Sequence, residues 1–323
     1  MSFRKNNHPL NWRPLAGLML LTALLSILTI QLPSAHAQKY SDWSTPVNLG
    51  SVVNSASQDQ QPAISKDGLS LYFTSNRPGG FGGFDMYVSQ RASVDDAWGS
   101  PVNLGSNVNT SLNEGNPAFS RDGHAMFFQS DRPGGLGARD IWVSQREHTH
   151  DDFDWQPAVD LAGVNSAADD QAPAYLENDE TGVPELYFAS TRTGTLGGLD
   201  IFVSDQSIDG SFGSPVHVVE LSSVAGDSRP SIAHDGLEIL IQSDRVGTTG
   251  GNDLWASTRE TPLDAWSSPI NLGSTVNTTF VDNNPYLSSD GTILLFVSDR
   301  PGGFGAQDLY MTTRSKDRGN SEK

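Results

Sequence analysis

The polar and apolar positions of this chain restart five times. Each restart opens on an aromatic residue, at Trp43, Trp98, Trp155, Phe212 and Trp266, with spacings of 55, 57, 57 and 54 residues. A polar stretch follows, then a Pro-led apolar segment, a tight turn, a hydrophobic run, a Gly-rich loop and an Asp-led segment. In the first unit these read QPAIS, KDG, LYFTS, NRPGGFGGF and DMYVSQR. Short runs of β-branched and aromatic residues set off by Gly, Pro, Asn and Asp are the pattern of strands. Each unit therefore predicts four short strands, near Val47, Ile64, Phe73 and Val88 for the first. Asp67-Gly68, Asp122-Gly123, Asp235-Gly236 and Asp290-Gly291 mark hairpins, because such turns require positive φ. The third unit replaces this turn with an insertion from Glu177 to Pro184. The runs LYFTS, MFFQS, LYFAS, ILIQS and LLFVS are apolar on both faces, so this strand is expected to be covered on both sides.

A four-stranded unit of this length cannot bury both faces alone and must stack on its neighbours. The pattern predicts an all-β fold: a five-bladed β-propeller of four-stranded antiparallel blades spanning residues 38–315. The chain begins this region with a lone strand at Trp43–Leu49 and ends it with a third strand at Asp308–Arg314. The first strand is expected to complete the last blade, closing the ring and removing an exposed edge. Ahead of it, Arg4, Lys5 and Arg13 precede an apolar run from Leu15 to Ile30, followed by Ala35-His36-Ala37. That order predicts a signal peptide over residues 1–37 and a periplasmic or secreted protein; an uncleaved anchor is the alternative. Residues 316–323 are polar and expected to fray.

Composition narrows the chemistry. The 323 residues include no Cys, which removes disulfides, thiolate metal sites and a Cys nucleophile. With 20 Lys and Arg against 38 Asp and Glu, the net charge of −18 repels phosphate backbones, so no nucleic-acid partner is expected. No membrane contact is expected after signal cleavage, and a monomer is expected. No G-x-S-x-G, H-E-x-x-H or phosphate-binding loop occurs.

At SKDGLSLYFTSNRPGGFGGFDMYVSQR and its four echoes the chain resembles the TolB-like family of WD-type propeller repeats. The shared pattern is a Ser-x-Asp-Gly turn, a hydrophobic strand, Ser-x-Arg with glycines, then Asp-hydrophobic-aromatic. The likeness covers nearly all of residues 40–314. It implies a stand-alone, non-catalytic scaffold of the cell envelope, with an envelope protein or cell-wall glycan as partner. Five-bladed propellers also include secreted glycosidases, which makes a glycan-active enzyme using channel-mouth carboxylates the alternative.

Two rows of charged residues recur once per unit. Arg77/Asp85, Arg132/Asp140, Arg192/Asp200, Arg245/Asp253 and Arg300/Asp308 are separated by seven residues each and predict a structural clamp across the hairpin mouth. Within that spacing one glycine follows the Arg by two residues and another precedes the Asp by three, both expected to supply unusual φ angles. Asp59, Glu114, Asp170, Asp227 and Asp282 each stand three residues before the Pro of the first strand. In a propeller they would ring the channel mouth and bind a ligand, with calcium as the possible cation; alternatively each caps its own turn. Asp169 and Arg229 break the fivefold symmetry and are added to the candidate ligand site. His148, His150, Asp151, Asp152 and Asp154 form a further, weaker metal candidate.

Overall fold

The structure, a computed structural model, describes Ser2 and residues 40–316; the rest of the predicted signal peptide and residues 317–323 lie outside the described residues. It is a five-bladed propeller in which every blade is a four-stranded antiparallel sheet. The innermost strands are Asp59–Ile64, Glu114–Phe119, Asp170–Glu177, Asp227–Ile232 and Asp282–Leu287. The second strands are Ser70–Ser75, Ala125–Ser130, Pro184–Ser190, Glu238–Ser243 and Ile293–Ser298. Leu71, Tyr72 and Phe73 have no exposed surface, as does Phe296, so these runs are covered on both sides. Between blades pack clusters such as Tyr72, Met86, Val88, Met126, Phe128 and Trp155. Each such cluster takes side chains from two adjacent sheets, which is why no blade is complete alone.

The ring closes through the amino-terminal strand. Val47–Asn48 pairs antiparallel with Met311 and Tyr310, giving the last blade its fourth strand. Around that short ladder, Ser44 N–H donates to Thr313 O at 2.8 Å and Leu49 N–H to Leu309 O at 3.0 Å. Tyr40 forms a bridge with Lys316, which had been expected in a frayed tail.

The opening aromatics are held by a row of arginines. Arg91 lies over Trp98 at 4.2 Å, Arg146 over Trp155 at 4.4 Å, Arg259 over Trp266 at 4.2 Å and Arg314 over Trp43 at 4.2 Å. Each of these arginines also donates Nε–H to the carbonyl of the hairpin glycine, as Arg91 does to Gly68 at 2.8 Å. In the fourth unit the opener is Phe212, and its bridge partner is Gln206. The cation and the indole are lost together.

The two glycines of the strand-connecting loops serve different ends. Gly134, two residues after Arg132, has φ of 109°, as expected. Gly137, three before Asp140, has no positive φ; a Cβ there would lie 1.8 Å from the carbonyl oxygen of Ala168 in the next blade. Its role is close backbone approach between blades. Gly137→Ala is therefore expected to destabilise the protein by about 1–3 kcal/mol through overpacking. Urea unfolding measures this, and an unchanged midpoint would contradict it.

Candidate functional site

The inner strands share one irregularity that shapes the channel. Their Pro removes a ladder N–H, and the register shifts by a bulge, between Gln60 and Ala63 in the first blade. The residue before the Pro takes a left-handed backbone: Gln61, Asn116, Ala172, Arg229 and Asn284 have φ of 54°, 54°, 54°, 56° and 50°. Asn adopts this region readily, whereas Ala and Arg do so at about 1–2 kcal/mol. Neighbouring blades join at this level. Gln61 Oε1 accepts Asn116 N–H at 3.0 Å, Gln129 Oε1 accepts Ala172 N–H at 3.2 Å, and Gln242 Oε1 accepts Asn284 N–H at 3.1 Å.

The acids at the heads of the inner strands do not form an open crown. Asp59, Glu114, Asp170, Asp227 and Asp282 are all buried, and each is paired with the arginine that ends the second strand of its own blade. Arg77 Nη2 meets Asp59 Oδ1 at 2.6 Å, and Arg300 Nη2 meets Asp282 Oδ1 at 2.6 Å. The second oxygen caps the preceding turn: Asp59 Oδ2 accepts Ser55 N–H at 2.6 Å and Ser55 Oγ–H at 2.8 Å. The guanidinium is fixed on all sides. Arg77 donates Nε–H to Ser75 Oγ at 3.0 Å and Nη2–H to Val53 O at 2.7 Å, and its plane lies over Phe73 at 5.0 Å and Tyr87 at 5.2 Å. The predicted ligand ring is thus corrected to five internal clamps.

The predicted Arg–Asp pairs are corrected by the same geometry. Arg77, Arg132, Arg192, Arg245 and Arg300 turn back to the inner-strand acid instead of forward to Asp85, Asp140, Asp200, Asp253 and Asp308. The latter five organise the Gly-rich loop. Asp85 accepts Phe81 N–H at 2.6 Å and Gly82 N–H at 3.3 Å, and Asp308 accepts Phe304 N–H at 2.5 Å and Gly305 N–H at 3.0 Å. Burial raises the Asp85 pKa, with the Phe81 and Gly82 N–H groups and Asn103 pulling it back.

The remaining candidates separate. Asp169 is half-buried, with Oδ2 3.6 Å from Arg139 Nη2. Asp152, from the supposed metal cluster, is a buried tie between blades. It accepts Ser70 Oγ–H and Tyr72 Oη–H at 2.5 Å each and meets Arg146 Nη1 at 3.1 Å. His148 is exposed, and its Nδ1 lies 2.9 Å from Asp154, which raises the imidazole pKa. Among the described residues no group of three His, Cys, Asp or Glu is placed to hold a metal.

What the sequence did not show is the cavity. A space of about 530 Å³ occupies the channel from the left-handed ring to the inner-strand hairpins, on the face opposite the clamped acids. Its wall includes Pro62, Pro117, Pro173, Pro230 and Pro285, with Tyr72, Phe119, Tyr175 and Tyr286 supplying aromatic surface. The tyrosines are fixed by their hydroxyls: Tyr286 donates to Ile64 O at 2.8 Å and Tyr175 to Gln206 Oε1 at 2.6 Å. Burial pushes both phenols up to about 12, so they remain donors at neutral pH. The carboxylates on the lining are Glu177, Asp235 and Asp290. Of the predicted ligand residues, Arg229 alone lies on this lining.

No family model matches the chain, and no curated protein matches it. Solved structures do share its fold. One is an α-L-arabinofuranosidase from Lactobacillus brevis, with TM-score 0.58 at 13% identity, covering 80% of this chain and 90% of that one. Another is a thermostable family-43 glycoside hydrolase, with TM-score 0.55 at 13% identity, covering 82% and 91%. A third is an α-L-arabinofuranosidase from Podospora anserina in complex with cellotriose, with TM-score 0.51 at 12% identity, covering 86% and 98%. These findings correct the resemblance to TolB-like repeats: these three structures alike in fold are glycoside hydrolases, and no family model matches. The expectation of a non-catalytic envelope scaffold came with that resemblance and is overturned with it.

Proposed function

We propose that this chain is a secreted or periplasmic glycan-active enzyme that takes a saccharide into the channel cavity and cleaves a glycosidic bond there. Fold alone does not set function; the reading is carried by the cavity, whose volume of about 530 Å³ lies in the range of small-ligand sites. Its proline and tyrosine wall offers flat apolar faces for sugar rings, with carboxylates at the hairpin end. The propellers alike in fold include arabinofuranosidases and a xylan β-1,4-xylosidase.

Glycosidic cleavage needs one carboxyl group to protonate the leaving oxygen and a second to act as base or nucleophile. The five clamped acids cannot serve, since each already holds a guanidinium. On the lining, Asp290 Oδ1 accepts Ser288 Oγ–H at 2.7 Å, Thr292 N–H at 3.0 Å and Thr292 Oγ1–H at 2.7 Å. Burial works against it, but these bonds hold Asp290 below its usual pKa, as a turn residue. Glu177 Oε1 accepts Arg121 N–H at 2.9 Å, and Oε2 has no hydrogen bond among the described residues. The reading assigns proton donation to Glu177 and the second carboxylate to Asp235, on the hairpin of the next blade.

The test is a panel of arabinan, arabinoxylan and xylan oligosaccharides with release of reducing ends as readout. Turnover is expected, and Glu177→Gln is expected to lower kcat by about 10²-fold or more with KM little changed. Absence of both turnover and calorimetric binding across the panel, or turnover indifferent to Glu177→Gln, would overturn the assignment.

A further inference from the structure

Arg229 stands apart from every other arginine in the channel region. The five inner-strand arginine clamps all end on a carboxylate, and so does Arg146, which meets Asp152 at 3.1 Å. Arg229 meets none among the described residues, where its one hydrogen bond is from Nη1 to Gln129 Oε1, at 3.4 Å. It sits at the inner end of the cavity, in the left-handed ring, with φ of 56°. The equivalent residues in the second and fifth blades are Asn116 and Asn284, which suit that backbone, so conformation gives no reason for Arg. Burial first, and then the positive field of Arg139, lower its pKa to about 9, so it is still charged at neutral pH. A half-buried guanidinium without a counter-charge is destabilising unless a ligand completes it. The lining carries Lys66, Arg121, Arg146, Arg229 and Lys316 beside Glu177, Asp235 and Asp290. Arg121 is paired with Asp179 and Arg146 with Asp152, whereas Arg229 has no ion pair among the described residues.

The geometry points to an anion subsite at Arg229 that accepts the carboxylate of a uronic acid residue. This rests on the saccharide reading of the cavity and names its substrate class: an acidic glycan whose uronate enters first, toward the ring, while its glycosidic bond lies nearer the hairpins. A carboxylate presents two coplanar oxygens to the guanidinium fork, a match that a neutral hydroxymethyl group cannot make.

Calorimetry with glucuronic acid, glucose and inorganic phosphate tests the subsite on the full chain. Glucuronic acid is expected to bind at least tenfold more tightly than glucose, and Arg229→Asn to bring that ratio close to one. Arg229→Lys should give a ratio between the two, since it keeps the charge and loses the fork. The same Asn variant is expected to melt at or above the wild-type temperature, because it removes both the unpaired charge and the strained Arg backbone. A ratio unchanged by Arg229→Asn, or phosphate binding more tightly than glucuronic acid, overturns the uronate assignment. If neutral oligosaccharides are cleaved without any preference for uronates, the subsite fails and the hydrolase reading stands. If glucuronic acid binds through Arg229 while no oligosaccharide is bound or cleaved, the subsite stands and the hydrolase reading fails.

Discussion

Asp282→Ala is expected to destabilise the protein by about 3–5 kcal/mol, the usual effect of removing one member of a buried ion pair. Asp282 has no exposed surface, and one oxygen lies 2.6 Å from Arg300 Nη2. The other accepts Thr278 N–H at 2.6 Å and Thr278 Oγ1–H at 2.8 Å. The substitution thus leaves Arg300 without its counter-charge and the Thr278 N–H without its acceptor at once. Arg300 would remain between Phe296 and Tyr310, each 5.0 Å from its Cζ, without its carboxylate partner. For a domain of this size the melting temperature should fall by roughly 10 °C. Combining it with Arg300→Met should recover a substantial part of the loss, since an apolar side chain of similar length leaves no buried charge. Calorimetric unfolding of the three variants decides the matter. A single substitution that costs under about 1 kcal/mol, or a double one no better than the single, would mean that the clamp does not stabilise the blade as described.

The architecture was legible because its signals are local and repeated. Each Asp-Gly turn fixes a hairpin through one left-handed glycine, such as Gly68 at φ of 76°, and the doubly apolar second strands force sheets to stack. The site was less legible because pairing in this fold is not set by distance along the chain. Arg77 and Asp85 are close in sequence, yet Arg77 reaches Asp59, eighteen residues upstream, because the guanidinium is aimed by Ser75 and two aromatic rings. Repetition itself held a clue. Arg91, Arg146, Arg259 and Arg314 each precede or face a Trp, while Gln206 accompanies Phe212; a pair that changes together within one chain marks a contact. The cavity had no comparable signal. Its wall follows from a bulge at each inner-strand Pro and from tyrosines at unequal positions, Tyr175 in the third blade and Tyr286 in the fifth. Arg229 was visible only as a departure from fivefold symmetry, and that departure is what reaches the cavity.

Deleting the chain through residue 50 is expected to lower the melting temperature by more than about 10 °C and to make the protein aggregate with rising concentration. The segment does more than add two paired residues. Asn48 donates Nδ2–H to Asp308 Oδ2 at 2.9 Å, tying the closing strand to the Gly-rich loop. Tyr40 and Trp43 cover Arg314 at 3.8 and 4.2 Å, and Tyr40 Oη–H donates to Asp290 O at 3.0 Å. Without them the strand Asp308–Thr313 becomes a free edge, with its outward N–H and C=O groups open to another chain. Arg314 would lose both aromatic covers while keeping its pairing to Glu238 in the neighbouring blade. Because each blade buries its faces only against its neighbours, loosening this one weakens two interfaces together. A permuted chain isolates closure from composition: residues 40–316 joined end to end and cut within the third-blade insertion, between Asn178 and Val183, where the turn is exposed and polar. That permutant retains the closing strand and should melt close to the parent. If the truncated chain stayed monomeric with an unchanged melting temperature, the amino-terminal strand would not be what holds the ring shut.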